Sequence, residues 1–363
     1  MSEPVMRLSA GEVALAGAQI FWAGTLVYLP SELINAAGPD AWLSLLLGTG
    51  AGVAVALGLA ALSRRFPRAD LYRCAESALG TVAGRAAGLV LVFYFLMTTA
   101  IDLRSTADFF TGIVLPQTPI VAIMVVLMGI AAWAVRLGPE VLCRVGAVTF
   151  VFLFLVLLSM PLALLGKMDL AALRPVLEHG PGPMLRGTYK AAGWAAEVVG
   201  LGVLLPLVPD LRVGRRSLLV GTLLGAFCLS YLVVVILLVF GPELGGWFAK
   251  PADVVVTMMS LGEYAERVDM VLIAIWQPAV TLRIAFALYG ASVGVGRVFA
   301  LNDRRPAVYP LAVLVVLVAL WSWPSFTEAY DFTSVTWPVV SLAVGLGLPA
   351  LVLAAAVLRK KQG

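Results

Sequence analysis

Histidine is nearly absent: His179 is the only one in 363 residues. Catalysis by a Ser-His-Asp or Cys-His pair would have to use that one residue, and a multi-histidine metal site is excluded. Cysteine is scarce too. Cys74, Cys143 and Cys228 lie far apart and form no C-x-x-C pair, so free thiols are expected. Charge is the third shortage. Only 13% of residues are Asp, Glu, Lys or Arg, against about 25% in soluble domains. The net charge of +4 is small, and no run of basic residues points to nucleic acid. No metal, no cofactor and no enzymatic activity are expected, because paired catalytic motifs are missing.

What remains is apolar. Residues of the AVILMFWYC set make up 61% of the chain, and a further 35 residues are glycine. Too few polar groups are left to cover a soluble surface, so the chain reads as an all-α integral membrane protein set in a lipid bilayer. A membrane helix needs about 20 apolar residues. Ten windows qualify: about 10–35, 41–62, 84–112, 118–135, 142–166, 187–209, 216–241, 268–298, 307–324 and 335–358. Residues 1–8 carry Glu3 and one Arg7, with no small-residue cleavage site after the first apolar run, so that run is expected to be a retained span. With the N-terminus placed in the cytoplasm, ten spans put 17 Lys and Arg on the inside and 6 on the outside. That is the bias membrane insertion favours, and both termini are then cytoplasmic. Two segments outside the spans look structured. Residues 69–80 form an amphipathic stretch that could lie along the inner face. Residues 250–265 hold an apolar stretch, read either as a lid or as simple loop packing.

Spans 1 and 6 share an interruption. Span 1 contains Gly24-Thr-Leu-Val-Tyr-Leu-Pro30 and span 6 contains Gly200-Leu-Gly-Val-Leu-Leu-Pro206, with the same Gly-to-Pro separation. Each opens a set of five spans, and five is odd, so the second set must run inverted. The chain is therefore one membrane domain, 1–363, with repeat 1 over about 10–166 and repeat 2 over about 187–358. Matching interrupted helices in two inverted halves point to a transporter-type site. Unwound backbone in mid-membrane survives only where protein, water or a ligand satisfies it. The N-terminus of a resumed helix favours a carboxylate, and free carbonyls accept from an ammonium. The pair suits a zwitterionic amino acid.

Charges inside spans are costly and tend to be functional. Glu197 stands three residues before Gly200, placed to accept a ligand ammonium, carry a proton or hold a neighbouring donor. Arg283, in the middle of span 8, stays protonated. It is either a fixed cation replacing a sodium ion between spans 1 and 8, or a salt bridge locking the bundle. In span 3, Tyr94, Thr98, Asp102 and Ser105 form one polar stripe at helical spacing, which makes Asp102 the expected partner of Arg283 or a protonatable group. Arg104 and Asp108, four apart, are expected to pair locally. Gly24, Thr25 and Gly200 supply the backbone of the breaks. Phe21, Trp22 and Trp194 flank them, either as walls for an apolar side chain or as packing.

These residues resemble the spore-germination permeases, the GerAB-type B subunits of germinant receptors, within the amino acid–polyamine–organocation superfamily. The resemblance covers nearly the whole chain. It rests on Gly24–Pro30, on Val135-Arg-Leu-Gly-Pro-Glu-Val-Leu-Cys-Arg144, on Glu197 ahead of Leu204-Leu-Pro206 with the basic residues 212–216, and on Glu266-Arg-Val-Asp269 followed by Trp276 and Arg283. The family usually has Lys where Arg283 stands and Phe where Thr281 stands. Arg releases a proton less readily than Lys, which weakens a proton-carrier role at 283 and leaves a fixed-cation role intact. The resemblance implies a LeuT-like fold, a small L-amino-acid-type germinant, and assembly with A and C receptor subunits in the spore's inner membrane. The alternative of another class is a proton-coupled amino-acid symporter of the same fold.

Overall fold

The computed structural model describes residues 8–26, 28–248, 250–258 and 268–360. Among these there is no strand. Span 1 is α1 (Ala10–Trp22) and α2 (Leu29–Ala37), separated by turns. α3 (Ala41–Arg65) is span 2 and α4 (Leu71–Leu79) a short helix after it. α5 (Thr81–Phe109), α6 (Ile120–Leu137) and α7 (Pro139–Leu164) are spans 3 to 5. Span 6 is α8 (Pro181–Ala195), continued by a 3-10 stretch, Ala196–Val203. α9 (Leu211–Trp247) is span 7 and α10 (Pro251–Thr257) a loop helix. α11 (Val268–Val298) and α12 (Val308–Ser322) are spans 8 and 9. Span 10 is α13 (Phe326–Asp331), α14 (Trp337–Ser341) and α15 (Leu348–Leu358), joined by two π-helical stretches.

Nine helices among the described residues are long and apolar enough to cross a membrane. The difference from ten has a physical reason. Each half of span 1 is too short to qualify alone, and α2 runs on into α3 through one 3-10 turn, so both count as one helix, Leu29–Arg65.

The packing obeys the inverted repeat. α1 packs on α9 and α3 packs on α8, which are the same contact (first span against second span of the other half) made twice. Span 3 packs on span 8, its own counterpart, through α5 and α11. Spans 1, 3, 6 and 8 thereby fill the centre, while α6, α7, α12 and α15 leave much of their apolar surface outward.

Local chemistry sets the ends. Ser9 and Glu12 form a capping box at α1, each side chain bonding the other's backbone N–H. The 136–144 motif is the α6–α7 turn. Gly138 takes φ 106° there, a value other residues rarely adopt. Arg144 pairs with Glu140 one turn earlier and reaches Glu12 at 3.4 Å, tying the turn to α1. α4 is amphipathic as expected: Leu71, Tyr72, Cys74, Ala75 and Ala78 are buried and Arg73 is exposed. Tyr72 Oη donates to the Gly290 carbonyl at 2.9 Å, and Arg297 bonds Asp70 at 2.9 Å, so α4 is tied to α11. The three cysteines are buried free thiols. Of the apolar stretch 250–265, read as a lid or as loop packing, residues 251–257 are helical and 259–265 lie outside the described residues.

Candidate functional site

Span 1 stops being helical after Trp22 and resumes at Leu29, with Pro30 in the first turn of α2, where its missing N–H costs nothing. The carbonyls that end α1 need donors. Thr25 Oγ1 donates to Phe21 O at 3.0 Å and Trp22 O at 2.8 Å. The Ile20 carbonyl takes Nη1 of Arg283. A guanidinium at a helix C-terminus also meets the negative end of the helix dipole. Arg283 thus caps the broken half of span 1 from span 8.

The same guanidinium holds two carboxylates. Nε donates to Asp102 Oδ2 at 2.8 Å, and Nη2 bonds Glu197 Oε2. Asp102 is 0% exposed and Arg283 2%. Glu197 Oε1 takes the indole N–H of Trp337 at 2.7 Å, so both its oxygens are engaged. Asp102 Oδ1 has no partner among the described residues. With both carboxylates ionised, this triad has one negative charge in excess. Buried ions require pairing, so the excess is an affinity for a cationic group or a proton. Gly24 sits against the triad. A Cβ there would lie 2.6 Å from Asp102 Oδ1 and 2.7 Å from Arg283 Cδ, so a side chain would collide with the ion pair.

Beside the triad lies a small crevice of about 30 Å³, room for a water or two. Ile20, Thr98, Glu197, Gly200 and Arg283 line it at the triad, and Leu204, Phe286 and Tyr289 toward the end of the bundle where α4 sits.

The remaining sequence candidates are distributed as follows. Phe21 packs toward Gly225 on α9. Trp22 meets Phe150 on α7 edge-on, ring centres 6.2 Å apart. Trp194 donates to Glu32 at 3.3 Å. None of these three rings lines the crevice. Thr25 caps α1, and Arg104 bonds Asp108 at 2.9 Å as a local pair, with a second bond to the Trp323 carbonyl. Span 6 also differs from the simplest picture of a broken helix. It tightens to 3-10 from Ala196 onward rather than restarting as an α-helix.

Two site residues escaped the sequence reading. Glu32 is buried and accepts from Trp194 Nε1 and, at 3.1 Å, from Thr333 Oγ1. It lies within the first apolar window, two residues past Pro30, so a charge inside a span was there to be read. Trp337 carries no such signal, because one more tryptophan in an apolar span is unremarked until its N–H is placed.

The family described as spore germination protein, of the spore-permease type, matches residues 13–327. The putative spore germination protein YfkT of Bacillus subtilis (strain 168) is 27% identical over 348 residues, covering 95% of each chain. Two solved structures share the fold. Mhp1, a nucleobase-cation-symport-1 family transporter, superposes with TM-score 0.72 at 12% identity, covering 98% of this chain and 80% of that one. MhsT in complex with L-phenylalanine superposes with TM-score 0.61 at 16% identity, covering 98% and 90%. The fold is therefore LeuT-like.

Proposed function

The chain belongs to the spore germination protein family, and from that premise we propose that it is the B subunit of a spore germinant receptor. It binds a small L-amino-acid-type germinant at the midplane between broken spans 1 and 6 and signals germination to A and C subunits. The observation behind this reading is the buried Asp102–Arg283–Glu197 triad, which carries one negative charge in excess when both carboxylates are ionised, with Glu197 and Arg283 at the wall of a crevice between those spans. A ligand ammonium supplies the missing positive charge. Thr98 and the backbone around Gly200 are within the same crevice for its polar remainder. Ile20, Phe286 and Leu204 give it an apolar side. The MhsT relative in fold holds an L-amino acid, which supports the ligand class. The 17-to-6 distribution of Lys and Arg supports cytoplasmic termini.

In this reading Arg283 is a fixed cation at the end of α1, so a sodium ion has no place to take there. Asp102 and Glu197 are the coupling pair, and Asp102 Oδ1 is an acceptor without a partner among the described residues. A second reading is favoured by the same excess charge: a proton neutralises the triad when the ligand leaves, which would make the chain a proton-coupled amino-acid symporter.

The test uses the full chain, purified and reconstituted, with a panel of radiolabelled L-amino acids. Specific binding of one or a few small members is expected, reduced at least about tenfold by Glu197→Gln with the fold retained. Unchanged binding in that variant removes Glu197 from the site. Uptake in liposomes under a proton gradient separates the readings: binding without accumulation supports the receptor, and robust concentrative uptake establishes the symporter.

A further inference from the structure

Span 10 is the least regular helix of the bundle. Its three α-helical pieces are separated by π-helical stretches, Phe332–Thr336 and Leu342–Gly347. A π-helical stretch is an α-helix with a residue inserted, and it occurs mostly where a helix does work. The five-residue piece between the two, α14, reaches the triad through Trp337 and the neighbouring Tyr94 through Ser341. Trp337 Nε1 bonds Glu197 at 2.7 Å. Its ring stacks on Tyr94 with centres 5.3 Å apart, and Ser341 Oγ shares a 2.8 Å bond with Tyr94 Oη. The first π stretch serves the other interrupted span. Thr333 donates to Glu32 on α2 at 3.1 Å, and Lys190 of α8 donates to the Ser334 carbonyl at 2.8 Å. Both buried acids of the interrupted spans, Glu32 of span 1 and Glu197 of span 6, are thus held from span 10. The two residues that hold them are four apart.

We infer that α14 is a rotor coupling these two acids, and that Glu32 is a positioning residue for Glu197 with span 10 as the link. An inserted residue that moves along a helix turns the segment it passes by about 100° and shifts it by about 1.5 Å. Two insertion sites flanking five residues therefore give α14 discrete settings, which is the bistable element that coupling between sites requires. In the setting observed, Trp337 and Ser341 both reach the site, and a turn of that size takes both away together. Thr333 holds the adjoining stretch to Glu32 and so selects the setting. Outward, Val335 is 67% and Val339 57% exposed, so that face of the helix adds little packing against a turn. The coupling needs no ligand, so its failure is distinguishable from failure of the germinant reading.

The experiment uses the full chain in lipid nanodiscs without ligand. Thr333→Val removes one hydroxyl and keeps the shape. Hydrogen exchange over residues 337–341 is expected to speed up about tenfold, although the substitution lies a turn away. Trp337→Phe is expected to do the same, and the double variant to exchange no faster than the faster single one. Labelling of Glu197 by dicyclohexylcarbodiimide, read by mass spectrometry, is expected to accelerate in Thr333→Val, an effect that a purely local role for Thr333 would not produce. If Trp337→Phe fails to fold, Ser341→Ala takes its place in the cycle. The inference is overturned if exchange changes only at 333–336, if the two effects multiply, or if Glu197 labelling is unaltered.

Discussion

Replacing Arg283 by Met keeps an unbranched side chain and removes the guanidinium. Three groups then lose their partner at once: Asp102 Oδ2, Glu197 Oε2 and the Ile20 carbonyl. Three hydrogen bonds to a charged group, at about 1.5–3 kcal/mol each, would sum to about 4.5–9 kcal/mol. Such contributions are not additive within one network, and removal of one member of a buried pair costs about 3–5 kcal/mol. We take the lower figure, because Glu197 keeps its bond to Trp337. The informative control is the triple variant Asp102→Asn, Glu197→Gln, Arg283→Met. It removes all three charges, and neutral replacement of a whole ionic group is often near neutral in stability. The assay is reversible unfolding of the purified chain in mixed dodecyl maltoside and dodecyl sulfate micelles, followed by tryptophan fluorescence. We expect the single variant to lose about 3–5 kcal/mol and the triple variant to recover more than half of that. A single variant within about 1 kcal/mol of wild type, or a triple variant as unstable as the single, would refute the account of the triad as a mutually dependent ionic group.

Three further outcomes follow from other parts of the structure. Gly24→Ala places a methyl group 2.6 Å from Asp102 Oδ1, and overpacking of this kind costs about 1–3 kcal/mol; the same unfolding assay reads it, alongside weakened ligand binding. Tyr72→Phe removes the bond from α4 to the Gly290 carbonyl and is expected to cost about 1 kcal/mol, seen as faster proteolysis at the α3–α4 turn. Cys74 on α4 has its thiol pushed up to about 12 by burial, with Asp70 adding to it. The folded state therefore keeps it protonated, so its contribution to stability is complete below pH 9 and is lost as pH rises from there toward 12. Alkylation by N-ethylmaleimide at pH 8 should be slow in the folded chain and fast once it is unfolded; rapid labelling of the native protein at Cys74 would contradict its burial.

The spans were legible because they are long and apolar. The interruption of span 1 was legible from Gly24 and Pro30, since each residue type acts through its own backbone. Helical periodicity put Asp102 on the one polar stripe of span 3, which made it either the partner of Arg283 or a protonatable group; the structure shows the pairing. Long-range partners were not legible. That both oxygens of Glu197 are engaged depends on Trp337, 140 residues away, and nothing in the local sequence points there. The π-helical stretches of span 10 were invisible for a related reason. An inserted residue leaves composition and hydropathy unchanged and alters only register. The 3-10 continuation of span 6 went unseen because Gly and Pro mark where a helix yields without specifying what replaces it.

The cap on α1 is covalently attached, and that changes what the surroundings can do to it. A diffusible ion at the end of a helix is present only to the extent that its concentration exceeds its dissociation constant, and its stabilising effect falls as it is diluted. Arg283 is part of the chain, so its occupancy is complete in distilled water and in brine alike. Buried as it is, it is little screened by added salt. The broken half of span 1 is consequently held in the same place whatever the ionic composition outside. Any ligand affinity that depends on that placement should be flat across sodium concentration.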